Sequence, residues 1–282
     1  MLQILIVYGK LANEHFGTSL LLPSRTAEDG CLGREAPGLG ERSFEVEGPV
    51  KAMGMQEAIA TRRSVREYTE KPLSEDAVRN LEEEIAVCNA EGRLSIKLIT
   101  DEPQAFDSAL AHYGKFKGVK NYIVLAGAPA EDLNERCGYF GERLVLHAQE
   151  EGLNTCWVAP TFKKRFVRKM LEPGEKLALV IALGYGADQG RPHKTKSIEE
   201  VSAVPQGGEM PAWFKAGVEA ALLAPTAMNQ QKFKIELAGE KSPDGKSLVR
   251  ISSLGGAYSD VDLGIVRLHF ELGAGRDDFV WE

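Results

Sequence analysis

The chain has 282 residues and a formal net charge of −7, so it can form one large α/β domain or two compact ones. Its hydrophobic fraction of 43% and charged fraction of 27% are ordinary for a globular protein with a normal core. The excess of 41 acidic over 34 basic residues argues against a general nucleic-acid binder. The apolar runs are also far shorter than the roughly 20 residues that span a bilayer.

Residues 1–52 differ in composition from the rest of the chain. They mix glycine, proline, serine and charged residues, as in TAEDGCLGREAPGLGERS, and show no sustained period after Tyr8. We therefore expect an irregular N-terminal extension, disordered in part, in front of a domain whose regular pattern begins near Met53.

The same region bears on the cellular location. The start, MLQILIVYGK, lacks the positively charged and long apolar regions of a secretory signal. The cysteines are far apart and predict free thiols: Cys31, Cys88, Cys137 and Cys156. Together these features predict a cytoplasmic protein.

Helices and strands alternate from Gln56 onward. Apolar periodicity and capping residues, such as Ser74 before a helix and Pro225 after one, predict helices at 74–91, 135–151, 211–224 and 259–273. Short β-branched runs predict strands at 95–100, 121–127, 177–184, 232–239 and 248–253. This layout predicts an α+β fold, with helices packed on a mainly antiparallel sheet.

The chain also contains a weak internal repeat. Residues 78–100 resemble 214–237 in their helix–loop–strand order, and residues 138–157 resemble 259–281. We therefore expect an internally duplicated pseudo-dimer, with a first half at 53–205 and a second half at 206–282.

Two basic clusters are candidates for binding an anion. TRRSVREY, residues 61–68, places three arginines and a serine within five positions, and arginine binds phosphate through two hydrogen bonds. In HKTKS, residues 193–197, Lys194 and Lys196 share one face of an extended segment. Each cluster taken alone is more often a solvated surface patch.

Two further segments could contact a flat heterocycle. APTAMNQQKF, residues 224–233, offers the amides of Asn229 and Gln231, although such a loop can equally satisfy only its own backbone. In GLNTCWVAP, residues 152–160, the backbone can approach a ring closely beside Trp157, which by itself is more often a core residue. Cys156 has no histidine or acid placed beside it by the sequence, so we do not expect a nucleophile.

Taken in order, these segments resemble the nitroreductase family of flavin mononucleotide (FMN) enzymes. The resemblance runs from about residue 55 to at least residue 235, through EAIATRRSVREY, HAQEEGLNTCWVAP, EPGEKLALVIALGYG and HKTKSIEEV. One segment departs from the family pattern. An A-P-S-x-x-N-x-Q-P-W-type segment is usual where this chain has AVCNAEGRLSIKL, and the corresponding motif lies near the other end, at residues 224–233.

The resemblance and its departure have consequences for assembly. Most family members are homodimers with FMN at the interface, so a motif moved into the same chain implies a single-chain, duplicated subgroup. Such a chain would form one complete FMN site and a second, degenerate one, and it is compatible with a monomer.

The resemblance also assigns roles to residues. Phosphate, ribityl and the pyrimidine edge would be bound by Arg62, Arg63, Ser64 and Arg66, of which Arg66 would favour the reduced, anionic flavin. Lys194 and Lys196 would close on the phosphate. The isoalloxazine or ribityl would be held from the second half by Thr226, Asn229 and Gln231. Val158 and Ala159 would line the ring near N5 through their backbone.

The function implied is an FMN-dependent oxidoreductase. Hydride would pass from NADH or NADPH to FMN and then, by a ping-pong route, to a small acceptor such as a nitroaromatic or a quinone. We expect no catalytic side chain, because the flavin supplies the chemistry. We also expect no metal, because the five histidines show no ligand spacing. The alternatives are an FMN-binding protein without turnover, or an enzyme that uses FMN for other oxidations.

Overall fold

A computed structural model describes residues 54–282 except 109, 110 and 112. The predicted N-terminal extension, residues 1–52, lies outside the described residues. None of the described helices is both long and apolar enough to cross a membrane.

The helices of the described part surround two sheets. In chain order they are α1 (Met55–Thr61), α2 (Glu75–Gly92), α3 (Leu133–Glu150), α4 (Lys164–Val167), α5 (Ile198–Val201), α6 (Ala212–Ala221) and α7 (Ser259–Ala274). The Ser74 side chain accepts a hydrogen bond from the Ala77 amide and so caps α2 as predicted. Short 3₁₀ turns lie at Arg168–Met170 and Ala227–Asn229.

The first sheet belongs to the first half of the chain. Its strands are β1 (Lys97–Ile99), β2 (Asn121–Gly127), β3 (Asn154–Val158) and β4 (Lys176–Gly184), in the order β1-β2-β4-β3. Every neighbouring pair is antiparallel. β2 and β4 are almost entirely buried because helices or loops cover both faces.

The second sheet contains β5 (Ser202–Ala203), β6 (Phe233–Lys241), β7 (Ser247–Ser253) and β8 (Phe279–Trp281), in that order. β6 and β7 are antiparallel, whereas β5 pairs in parallel with β6 and β8 pairs in parallel with β7. The largest of three apolar clusters among the described residues includes residues of both halves, such as Leu144 and Phe270.

The structure confirms the predicted α+β class and the five predicted strands. Three further strands, β3, β5 and β8, were not predicted, and the strands form two sheets rather than one. The helix predicted at 211–224 ends at Ala221. The prediction was too long because Pro225 restricts only the residue before it, and residues 222–224 already form a turn.

The two long helices α3 and α7 pack unusually closely. A Cβ atom on Gly138 would lie 2.1 Å from the carbonyl oxygen of Val261, and one on Gly264 would lie 1.9 Å from that of Glu135. Gly138 and Gly264 are 126 residues apart, and so are Glu135 and Val261. Contacts that are exchanged in this way are those of a two-fold axis. This is the pattern that the proposed duplication would produce; the duplication itself stays a prediction.

Candidate functional site

Two adjoining cavities form one cleft between segments of the two halves. The larger has a volume of about 620 Å³ and is lined mainly by polar and charged residues. The smaller has a volume of about 130 Å³ and is lined mainly by apolar residues. We call them the polar lobe and the apolar lobe. They share the residues Ser64, Arg66, Pro225, Thr226 and Met228.

Eight of the eleven residues assigned by the resemblance line this cleft. The polar lobe contains Arg62, Arg63, Ser64, Arg66, Thr226 and Asn229. The apolar lobe contains Ser64, Arg66, Val158, Ala159 and Thr226. Residues from the start and from the end of the domain therefore meet, and what they bind stays a prediction.

The other three residues do not line either lobe. The side chain of Gln231 is buried, and its Nε2 donates to the carbonyl oxygen of Lys194 at 2.7 Å, while its Oε1 accepts from the Lys196 amide at 2.9 Å. Lys196 Nζ donates to the Gln231 carbonyl oxygen at 2.7 Å. These bonds fasten the 194–196 segment to the amide-rich loop. The loop therefore bonds to the backbone of another segment and not only to its own, while a role in binding stays a prediction for all three residues.

The polar lobe concentrates positive charge in an acidic protein. Its walls carry five cationic side chains: Arg62, Arg63, Arg66, Lys115 and Arg191. Of its two carboxylates, Glu67 pairs with Lys117 at 3.2 Å and Asp188 accepts a hydrogen bond from the Gly190 amide at 2.6 Å. The lobe therefore favours an anion.

Sequence reasoning missed Lys115 and Arg191. Lys115 lies in the basic run GKFKGVK, and Arg191 lies two residues before the predicted HKTKS cluster. A count of basic residues around each cluster would have found Arg191, whereas only the fold brings Lys115 to the cleft.

Local structure separates the roles of the two neighbouring arginines. α1 ends at Thr61, and the following segment runs beside β3, where the Val65 amide donates to the Thr155 carbonyl oxygen at 3.0 Å. The Arg63 guanidinium folds back and donates to the carbonyl oxygens of Ala60 and Arg62, both at 2.8 Å. It thus occupies the C-terminal end of α1, where a cation is stabilising.

Arg62 is buried, with 3% of its surface exposed. Its Nε lies 3.7 Å from Oε1 of the fully buried Glu142 and has no hydrogen-bond partner in the described part of the chain. Burial lowers the pKa of this guanidinium, and the Glu142 carboxylate opposes that shift. This Nε faces the core, whereas Arg62 also lines the polar lobe. Its other guanidinium nitrogens are suited to a ligand in that lobe that accepts hydrogen bonds.

The apolar lobe is built from the end of β3 and the start of α7. Val158 and Ala159 line one side, and Val261 and Ile265 line another. Trp157 also lines it, but its ring packs on α3, where a Cβ atom on Gly141 would lie 2.5 Å from the ring. Trp157 is thus mainly a core residue, which was the alternative interpretation from the sequence.

Cys156 lies beside this lobe without the environment of a nucleophile. The side chain is buried, and burial raises the pKa of its thiol. A buried thiol with a raised pKa stays protonated and unreactive, which agrees with the expectation from the sequence.

Asp262, which the sequence did not single out, holds the loop that covers the cleft. Its carboxylate is 8% exposed and accepts hydrogen bonds from the Ala227 amide at 3.0 Å and from Gln230 Nε2 at 2.7 Å. Burial raises its pKa to about 6. The loop that it holds carries Met228, which is 87% exposed and has a left-handed backbone with φ of 52°.

Comparison with known proteins identifies the family. The family model described as "Putative TM nitroreductase" matches residues 54–274. The chain belongs to this nitroreductase family. No curated protein matches it.

One solved structure shows the same fold, and two further ones are similar over about half of the chain. A protein from Thermotoga maritima described as a "putative nitroreductase" is 24% identical, with a TM-score of 0.55; the match covers 82% of this chain and 88% of that one. FMN complexes from Desulfovibrio desulfuricans and Exiguobacterium sibiricum are 19% and 15% identical, with TM-scores of 0.45 and 0.44. Their matches cover 56% and 54% of this chain and 98% and 97% of theirs.

In this member of the nitroreductase family the cleft has two chemically different parts. One lobe attracts negative charge, and the other offers an apolar surface and free space beside backbone groups of β3. The two lobes share walls, so one elongated ligand with a charged end and a flat end can occupy both.

Proposed function

We propose that this nitroreductase binds FMN in the two-lobed cleft and is an FMN-dependent oxidoreductase. The observation that carries the proposal is the buried guanidinium of Arg62, which has Glu142 on its inner side and lines a lobe with five cationic side chains. An FMN phosphate is a dianion that accepts several hydrogen bonds, and the residues present fit it.

Each part of the cleft then has a role. Arg62, Ser64 and Arg66 would hold the phosphate and ribityl, and Thr226 with Asn229 would contact the cofactor from the second half. Val158 and Ala159 would lie against the ring in the apolar lobe. When bound, FMN supplies hydride and electron transfer between a nicotinamide and an acceptor, and the protein binds, orients and tunes it.

The electron donor in this proposal is NADH or NADPH, and the acceptor is a nitroaromatic, a quinone or a similar small molecule. Donor and acceptor must both reach the ring through the same cleft, because the two lobes share their walls. They therefore compete for one place, and ping-pong kinetics are expected.

An absorbance spectrum of the purified protein tests the proposal. The protein, supplied with FMN, should show flavin bands that bleach when NADH or NADPH is added without oxygen. The Arg62→Ala variant should bind FMN about 10- to 100-fold more weakly, the loss expected for a charged hydrogen bond worth roughly 1.5–3 kcal/mol.

Two other outcomes have distinct meanings. A bound flavin that neither nicotinamide bleaches would identify a flavin-binding protein without reductase turnover. A wild-type protein that takes up no FMN would refute the proposal.

A further inference from the structure

We propose that Glu142 and His269 share one proton and together position Arg62 at the cleft. Neither residue lines a lobe, and both are fully buried, on α3 and α7 respectively. They are positioning residues, since they reach the cleft only through Arg62. The inference rests on the proposed function only for the identity of the anion that Arg62 binds.

The geometry forms a connected chain of polar groups. His269 Nε2 lies 2.9 Å from Glu142 Oε1, and the same oxygen lies 3.7 Å from Arg62 Nε. The other carboxylate oxygen, Oε2, accepts a hydrogen bond from Trp157 Nε1 at 2.8 Å. The chain of contacts therefore leads from the second half of the protein to the arginine at the cleft.

Hydrogen-bond chemistry requires a proton between the two residues. His269 Nδ1 lies 3.1 Å from the carbonyl oxygen of Ala220, which can only accept, so Nδ1 carries a hydrogen. A neutral ring would then present a lone pair at Nε2 to the Glu142 carboxylate. Two lone pairs at 2.9 Å repel, so one proton lies between Nε2 and Oε1.

The surroundings place that proton on the histidine. The Glu142 carboxylate faces an indole N–H and a guanidinium, and both stabilise its negative charge. The ring faces a carbonyl in the last turn of α6, where the partial negative charge of the helix end favours an imidazolium.

This arrangement explains how a buried arginine is kept at the cleft. The carboxylate supplies a countercharge on the inner side of Arg62, because a buried cation without one would be strongly destabilised. The imidazolium and the indole hold the carboxylate from the other sides. The remaining guanidinium nitrogens are left for an anion in the polar lobe.

Binding of FMN and of riboflavin separates this role from a general effect on the fold. The Glu142→Gln variant keeps a side chain that can accept from Trp157 and donate to a neutral His269, but it removes the negative charge. We expect its dissociation constant for FMN to rise about tenfold or more, with that for riboflavin, which lacks the phosphate, changed less than twofold.

Glu271→Gln is the matched control. Glu271 is also buried and accepts an indole N–H, from Trp281 at 2.7 Å, but it does not line the cleft. Its variant should bind both flavins within twofold of the wild type. Equal weakening of both flavins in Glu142→Gln, or no weakening, would overturn the positioning role.

The state of the His269 ring is measured without any flavin. Nitrogen-15 NMR of the protein at pH 7.5, assigned with His269→Gln, should show both ring nitrogens protonated in the wild type and only one in Glu142→Gln. A singly protonated ring in the wild type would refute the proton placement. If the wild type binds neither flavin, the proposed function fails while this spectrum still decides the proton.

Discussion

Two adjacent arginines of the TRRSVREY motif have different roles in this protein. Arg62 points into the core beside Glu142 and reaches the polar lobe, whereas Arg63 returns to the last carbonyls of α1. The cause is the end of α1 at Thr61, since the extended backbone of Arg62, with ψ of 130°, turns successive side chains to opposite sides. A motif of three arginines therefore identifies the place but not the residue that meets the ligand.

At the same scale, Asp262 should make stability depend on pH. Its pKa of about 6 in the folded protein lies above the value of about 4 of an unfolded aspartate. The folded state therefore holds this proton more tightly, so the stabilisation is present below pH 4 and is lost between about pH 4 and 6. A difference of two pKa units corresponds to about 3 kcal/mol.

The Asp262→Asn variant removes that titration. We expect the unfolding free energy of the wild type, relative to the variant, to fall by up to about 3 kcal/mol between pH 4 and 7. Urea unfolding at several pH values measures it. The control is Asp260→Asn, an exposed carboxylate in the same turn, and parallel pH profiles for wild type and Asp262→Asn would contradict the prediction.

At the scale of elements, the packing of α3 against α7 depends on two glycines. Gly138→Ala or Gly264→Ala would place a methyl group about 2 Å from a backbone carbonyl oxygen of the other helix, and backbone cannot move aside as a flexible side chain can. We expect each variant to lose about 3 kcal/mol or more, the upper range of overpacking. This should exceed the roughly 1 kcal/mol that alanine gains in a helix.

Thermal or urea unfolding measures this loss. Gly239→Ala is the control, since its Cβ atom would approach Pro205 Cγ no closer than 3.8 Å. A Gly138→Ala protein as stable as the control would show that the two helices can separate at little cost.

The helices that were predicted are specified by local sequence patterns, whereas the strands that were missed are specified by tertiary contacts. α2 has a side-chain cap at Ser74, and both α2 and α7 have apolar stripes that a local pattern shows. The predicted ends of both helices lie within two residues of the observed ones. β5 and β8 have two and three residues, so only their pairing with β6 and β7 makes them strands. β3 was read as an apolar stretch because its polar residues Asn154 and Thr155 are buried only by the tertiary fold.

At the scale of the whole molecule, the cleft has a counterpart that differs from it. Four residues at the N-terminal end of α7 line the apolar lobe: Tyr258, which directly precedes the helix, and Val261, Asp262 and Ile265 within it. The residues 126 positions earlier also line a single cavity, of about 360 Å³: Asp132, Glu135, Arg136 and Tyr139. Asp262 and Arg136 hold corresponding loops, since Asp262 accepts from the Ala227 amide and Arg136 donates to the Gly92 carbonyl oxygen at 2.6 Å.

The two arginines that line the counterpart cavity are already paired with carboxylates, so they are less suited to bind a phosphate. Among the described residues, Arg136 pairs with Asp132 at 3.0 Å and Arg267 pairs with Glu135 at 3.2 Å. Tyr139 donates to Glu271 at 2.6 Å. The arginines of this cavity are thus paired with carboxylates that line the cavity itself, whereas Glu142, the carboxylate beside Arg62, does not line the polar lobe.

We therefore predict one flavin for each chain of 30.8 kDa. Titration of the protein with FMN, followed by flavin fluorescence, should saturate at one equivalent. Sedimentation analysis of the same sample gives the mass, for which the proposed duplication predicts a monomer. Saturation at two equivalents would show that the counterpart cavity binds FMN as well.

The sequence alone determined the class of fold, the long helices and central strands, and the segments that form the cleft, because these depend on local patterns and on residue types in order. Only the tertiary structure decided that Arg62 lies beside Glu142 while Arg63 bonds to the end of α1. It also decided that the Gln231 side chain is bound to backbone and that Glu142 contacts His269. These contacts of Glu142 and Gln231 join residues more than 30 positions apart. Burial and charge pairing at such contacts arise from the packing of whole elements, and no local pattern encodes them.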